Sequence, residues 1–134
     1  MPAAMPNAEI AAIVDAAPGQ LRDVVRILCA QITDLHPDAT MLAWPKQRIL
    51  SYGFGPRKMS EHYAYIGVHA RHVNLGFYYG AALPDPDALL EGTGKNLRHI
   101  KLRDVASATS PPVRRLLKHA MRDLRARSGG PTRH

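Results

Sequence analysis

Hydrophobic residues recur along this chain in two rhythms, and the switches between them outline an α+β domain. Between positions 21 and 35, Leu21, Val24, Val25, Leu28, Ile32 and Leu35 fall three and four residues apart, the period of one helix face. His36-Pro37 ends this helix, because a residue before proline is pushed out of helical geometry. Ahead of it, Pro18-Gly19 sets off a shorter helix over 8–16, with Asn7 as its cap and Ile10, Ile13 and Val14 as its buried edge. Near the end of the chain, Ser110-Pro111-Pro112 introduces a last helix, with Ser110 as the expected cap. Its apolar face is Val113, Leu116, Leu117, Ala120, Met121 and Leu124, while Arg114, Arg115, Lys118, Arg122 and Arg125 lie mostly on the other side.

Between these helices the period shortens to two. Strands are predicted over 41–44 and 48–52, followed by a loop over 53–60, GFGPRKMS. Over 62–70 the apolar residues Ala64, Ile66 and Val68 hold even positions; over 72–81 Val73, Leu75, Phe77 and Tyr79 hold odd ones. A hairpin turning at Ala70-Arg71 and pairing 68 with 73, 66 with 75 and 64 with 77 puts both sets on one face. Tyr63, Tyr65, His69, His72, Asn74 and Tyr78 then share the opposite face. LPDPD, residues 83–87, reads as a single helical turn capped by Asp85, and 97–103 alternates again, with His99, Lys101 and Arg103 outward. The expected architecture is an antiparallel sheet of about five strands packed with N-terminal and C-terminal helices. Residues 1–19 are read as a frayed start and short helix, 20–126 as one domain, and 127–134 as a disordered basic tail.

Charge changes this picture more than composition does. The net charge of +7 is the sum of −2 over residues 1–94 and +9 over 95–134, so basicity is a property of the last third. Such a segment suits a small anion or an acidic protein partner, and more weakly nucleic acid. No run of apolar residues is long enough to cross a bilayer and no secretory pattern opens the chain, so a cytoplasmic protein is expected, with self-association left open. The single cysteine, Cys29, reads as a small hydrophobe beside the apolar stripe of the second helix.

Candidate chemistry concentrates between His72 and Arg103. GTGK, Gly92-Thr93-Gly94-Lys95, lacks the spacing and hydroxyl residue of a nucleotide phosphate loop, but its glycines can turn N–H groups toward an anion, with Lys95, Arg98, His99, Lys101 and Arg103 around it. His69 and His72 face each other across the hairpin and could share a metal, with His99 as a third ligand. Asp85, Asp87 and Glu91 cluster in sequence around one turn. No G-x-S-x-G elbow, zinc spacing or dinucleotide fingerprint is present, so the residues favour a binding domain over an enzyme and no cofactor is expected from them.

The run H-V-N-L-G-F-x-x-G-A-x-L-x-D-P-x-x-L-L-E-G-T-G-K-x-x-R-H-I-K-L, residues 72–102, resembles the signature of the YdhG-like bacterial family of small domains of unknown function. The resemblance extends less sharply over residues 20–125. It implies a compact α+β fold, an antiparallel sheet flanked by helices from both ends of the chain. One branch of the family is described as a frataxin-like iron chaperone that delivers iron to cluster and haem assembly. For this chain that branch implies iron as cargo, with Asp85, Asp87 and Glu91 as oxygen donors beside His69 and His72.

Overall fold

The computed structural model describes residues 8–127, apart from the side chains of residues 58 and 59. The expected Asn7 cap and the tail beyond Arg127 lie outside the described residues. Helices α1 (Ala8–Ala16) and α2 (Leu21–Leu35) are followed by strands β1 (Thr40–Trp44) and β2 (Ile49–Gly53), a helical turn α3 (Lys58–Glu61), and strands β3 (His62–Val68) and β4 (Val73–Phe77). Strand β5 (Arg98–Leu102), the short α4 (Val105–Ala108) and the long α5 (Pro111–Arg127) complete the domain. The five strands form one antiparallel sheet in chain order, so the fold is α+β with helices from both ends of the chain.

The alternation of each strand gives the sheet an apolar face, and the helices pack there. Leu50, Ala64, Ile66, Leu75 and Phe77 are fully buried against Val24, Val25, Leu28 and Ile32 of α2 and Leu117 of α5. Burying an aliphatic side chain of this size is worth about 1.5–3 kcal/mol, so this layer is the main source of stability. Helix α1 belongs to the same core through Ile10, Ile13 and Val14. Cys29 is enclosed there too, and burial pushes its thiol up to about 11, which keeps it an unreactive thiol.

The hairpin register agrees with the expectation at every pair: Val68 opposite Val73, Ile66 opposite Leu75 and Ala64 opposite Phe77. Past Val68 the turn is closed by the His69 amide donating to the His72 carbonyl at 2.9 Å.

Several local expectations are corrected. The segment read as loop contains α3, in which the Glu61 carboxylate accepts from the Arg57 N–H at 2.8 Å. Tyr63 does not share the face of Tyr65. Tyr52 pairs with Ala64 but Gly53 pairs with His62, so Tyr63 is the extra residue of a β-bulge and turns to the helix side, where it is 1% exposed. Strand β4 stops at Phe77 rather than Ala81. The chain bends there into a 3-10 turn, Gly80–Ala82, because Gly80 packs directly on Arg98; a Cβ on it would lie 2.5 Å from that side chain's own Cβ. LPDPD is a β-turn, closed from the Ala88 amide to the Asp85 carbonyl, and not a helical turn. Asp85 still caps, accepting from the Leu89 and Leu90 amides at 2.9 Å each. Ser110 does not cap α5 with its side chain, since its hydroxyl donates to the Ser107 carbonyl at 2.7 Å. Arg127, assigned to the tail, is the last residue of α5.

Candidate functional site

Helices α1, α2 and α5 pack on one face, and among the described residues part of the other face stays open. Along it, Ile49 of β2 stands level with Gly67 of β3, Asn74 of β4 and Lys101 of β5; the next row is Ser51, Tyr65, Gly76 and His99. Two of these eight positions are glycines, and they create relief. Gly76 is directly opposite Tyr65, whose ring lies over it so closely that a Cβ on Gly76 would come within 2.0 Å of the ring. The phenol therefore lies across the sheet instead of standing up from it, and beside it opens a groove of about 370 Å³. Ile49 and Leu97 give this groove apolar walls, and Gln47, His69 and Asn74 give it hydrogen-bonding groups. Its size is within the range of small-molecule sites, roughly 300–1,000 Å³.

Tyr78 closes one end, its ring 5.5 Å from that of Tyr65. Behind it runs a buried chain of hydrogen bonds. The Tyr78 hydroxyl is 2.8 Å from Ser51 Oγ, Ser51 Oγ is 2.6 Å from His62 Nδ1, and His62 Nε2 is 2.9 Å from the Gly55 carbonyl. A carbonyl only accepts, so Nε2 carries the proton; in the neutral form of the ring Nδ1 accepts from Ser51, which then accepts from Tyr78. A serine bonded to a histidine invites a hydrolytic reading, but Ser51 and His62 are both 0% exposed. With no surface to meet a substrate, the chain anchors the bulge end of β3 and the back of the groove. Burial pushes the phenols of Tyr65 and Tyr78 up, so both remain hydrogen-bond donors at neutral pH.

At the other end, the amide of Asn74 is 3.2 Å from His69 Nε2, and its buried Oδ1 has no partner among the described residues. The rings of His69 and His72 stack, centroids 4.7 Å apart. Burial first, then the neighbouring His69, Lys101 and Arg103 charges, pulls the His72 pKa down. His99 does not join this pair. It stands opposite Gly76, whereas Arg103 is level with His72, so it is displaced by four residues along the strand, about 13 Å.

The expected anion loop is closed at its base by backbone bonds. Glu91 and His99 exchange backbone hydrogen bonds of 2.8 and 3.0 Å, closing the segment 92–98, and Gly92 takes a φ of 125° that suits glycine. Arg98 reaches back into this loop and donates to the carbonyls of Gly94 at 2.5 Å and Leu97 at 2.7 Å. So Arg98 meets carbonyl oxygens, while Thr93 and Lys95 of the loop are exposed, as is Arg103 just past the far end of β5. Lys101 is 3.7 Å from Glu91, and Asp87 is 3.3 Å from Arg115. Asp85, Asp87 and Glu91 are thus engaged separately, by backbone amides, an arginine and a lysine. Among the described residues no group of three or more His, Cys, Asp or Glu is placed to hold a metal ion.

Of the expected site residues, the structure brings His69 to the groove and Lys101 to its border, beside Asn74 of the polar face, and leaves the acids apart. Gln47, Ile49 and Leu97 carried no signal of their own in the sequence. Tyr65 and Tyr78 did, through their parity on the polar face. No helix among the described residues is long and apolar enough to cross a membrane. Comparison of the chain with protein-family models, with curated proteins and with solved structures found no match.

Proposed function

We propose that this domain is a non-enzymatic binding module for a small organic anion, held in the groove on the open sheet face. The observation that carries this reading is the groove itself, about 370 Å³ with apolar walls, two tyrosines, two amides and an imidazole. A planar apolar body would lie against Tyr65, Ile49 and Leu97. Its carboxylate or phosphate would point to β5, where Lys101 is the cross-strand neighbour of Asn74. The basic balance of residues 95–134 would favour such a ligand over a cation. Phenyl phosphate and benzoate are suitable probes in an amide-shift titration at low salt. Saturable shifts at Tyr65, Asn74, Leu97 and Lys101 are expected, weakened about tenfold in Lys101→Glu, which is the scale of one charge-assisted contact. Absence of saturation by about 10 mM would sink the reading, since weaker binding carries no specificity worth a site.

A second reading is a protein partner, which the basic balance of residues 95–134 would make acidic and an apolar patch favours. Leu97 is 43% exposed, and Leu42, Trp44 and Ile49 lie half-buried on the same open face. A partner would cover Leu42 and Trp44 as well as the groove, so an acidic peptide that shifts those two residues distinguishes it from a small ligand. The resemblance to the YdhG-like family is compatible with either reading. Its iron-carrying branch would have to rely here on His69 and His72, and anaerobic calorimetry with ferrous iron tests that role.

A further inference from the structure

A second concavity lies on the helical side of the domain, where the end of α2, the connection from β2 to α3, and α5 meet. His36, Phe54, Lys118, Arg122 and Arg125 surround a cavity of about 240 Å³. On α5 the three cations are spaced four and then three residues apart, so they form one stripe along the helix. Their neighbours on the same helix are neutralised: Arg114 pairs with Asp34, Arg115 with Asp87 and Arg127 with Asp123. Lys118, Arg122 and Arg125 have no carboxylate partner among the described residues. Arg125 lies instead over the Phe54 ring, 4.8 Å from its centroid.

The buried wall of the cavity is polar. His36 is 9% exposed, with Nδ1 2.8 Å from the Tyr63 hydroxyl. A phenol donating to Nδ1 leaves the ring proton on Nε2, available to an acceptor. The nearest carboxylate to Nε2 is Asp38 at 3.8 Å, on a side chain that is 96% exposed and fully solvated. The carbonyl end of α2 adds a partial negative charge, which is smaller than the three full positive charges opposite it.

We propose that this cavity is a binding site for a small phosphate-bearing ligand. Arg122 and Arg125 supply planar forks that match phosphate oxygens, Lys118 supplies a point charge, and His36 supplies a donor at the buried wall. The Phe54–Arg125 pair gives a flat surface for the ligand's organic part. The site is on the opposite side of the sheet from the groove and stands or falls independently of it.

The test is an amide-shift titration of the full chain with inorganic phosphate and glycerol phosphate at low salt, with sodium acetate at matched ionic strength as the charge-screening arm. Expected are saturable shifts confined to His36, Phe54 and residues 118–125, and an upward shift of the His36 titration when phosphate is present. The double variant Arg122→Gln/Arg125→Gln should lose affinity at least about tenfold, the scale for removing charge-assisted bonds. All three cations are exposed, and unchanged sheet amides would confirm folding; Lys118→Gln is the milder second variant, expected to weaken binding less. Equal shifts with acetate, shifts spread to Lys95 and Arg103, or an unaffected double variant would overturn the proposal. So would a single-stranded oligonucleotide that binds the α5 stripe tighter than glycerol phosphate with a steep salt slope, which would assign the stripe to a nucleic-acid backbone.

Discussion

The ring of Tyr65 lies across Gly76 on the neighbouring strand, and each residue explains the other. Without a side chain at Gly76 the phenol can lie flat; with one, the new Cβ would sit 2.0 Å from the ring. Gly76→Val should therefore force the ring out of place and cost about 1–3 kcal/mol, the usual range for overpacking. Urea denaturation measures the loss. Adding Tyr65→Ala to Gly76→Val should recover part of it, because the clash is with that ring; a double variant no more stable than the single would place the strain elsewhere.

Ser51 is the middle of the chain that joins Tyr78 to His62, and its removal should cost more than removal of either outer bond. Ser51→Ala strips a partner from two buried polar groups at once, and about 1–3 kcal/mol is expected. Tyr78→Phe leaves the Ser51–His62 bond intact and should cost about 1 kcal/mol. Because the chain backs the groove, Ser51→Ala should also broaden the amide signals of Tyr65 and Tyr78 in the NMR spectrum. If both substitutions prove neutral, the chain contributes nothing to holding the bulge.

These two relationships also explain how far the sequence could be read. The helices and the β3–β4 register were legible because each rests on local periodicity: the apolar stripe of α2, or the parity of Ile66 against Leu75. The bulge was not legible. Tyr63 and Tyr65 are two residues apart and ought to share a face, yet Tyr63 turns inward to His36 while His62 turns outward to Ser51. Those partners are 27 and 11 residues away, so no local pattern announces them. The end of β4 was hidden similarly, since Tyr79 continues the odd-position alternation but Gly80 must accommodate Arg98. The basic residues of β5 were found from sequence, whereas the groove was not, because it depends on two glycines facing side chains from other strands.

Stability should fall as the solution is acidified from neutral toward pH 5, through His36. Burial pulls its folded-state pKa below the ordinary 6.5; Arg125 acts in the same direction and Asp38 opposes them. The unfolded chain therefore binds more protons between the folded value and 6.5, and stability rises with pH across that window. The contribution is fully present above 6.5 and is lost as pH falls through the folded value. Urea midpoints measured from pH 8 to pH 5 should decline in the wild type and decline less in His36→Gln. His72 is shifted in the same direction but is only half-buried, so His72→Gln should change the slope less.

Arg98 separates two roles that its sequence position allows, anion ligand and loop clamp. Its guanidinium already donates to the carbonyls of Gly94 and Leu97, so its truncation should loosen residues 92–97 without removing a direct contact to the anion. In Arg98→Ala, hydrogen exchange at Gly94–Leu97 should quicken while the urea midpoint moves by less than about 1 kcal/mol, as suits exposed hydrogen bonds. Leu97 is a wall of the groove, so the same variant should weaken phenyl phosphate binding indirectly, by a factor of a few, and Arg98→Lys should not restore it because an ammonium lacks the fork that spans two carbonyls. Lys101→Ala is the counterpart. Among the described residues its close carboxylate is Glu91 at 3.7 Å, and loss of Lys101 should leave loop exchange untouched while weakening the anion more than Arg98→Ala does. The reverse order, with Arg98 dominating affinity and Lys101 dominating loop exchange, would make the glycine loop rather than the sheet groove the place where the anion is held.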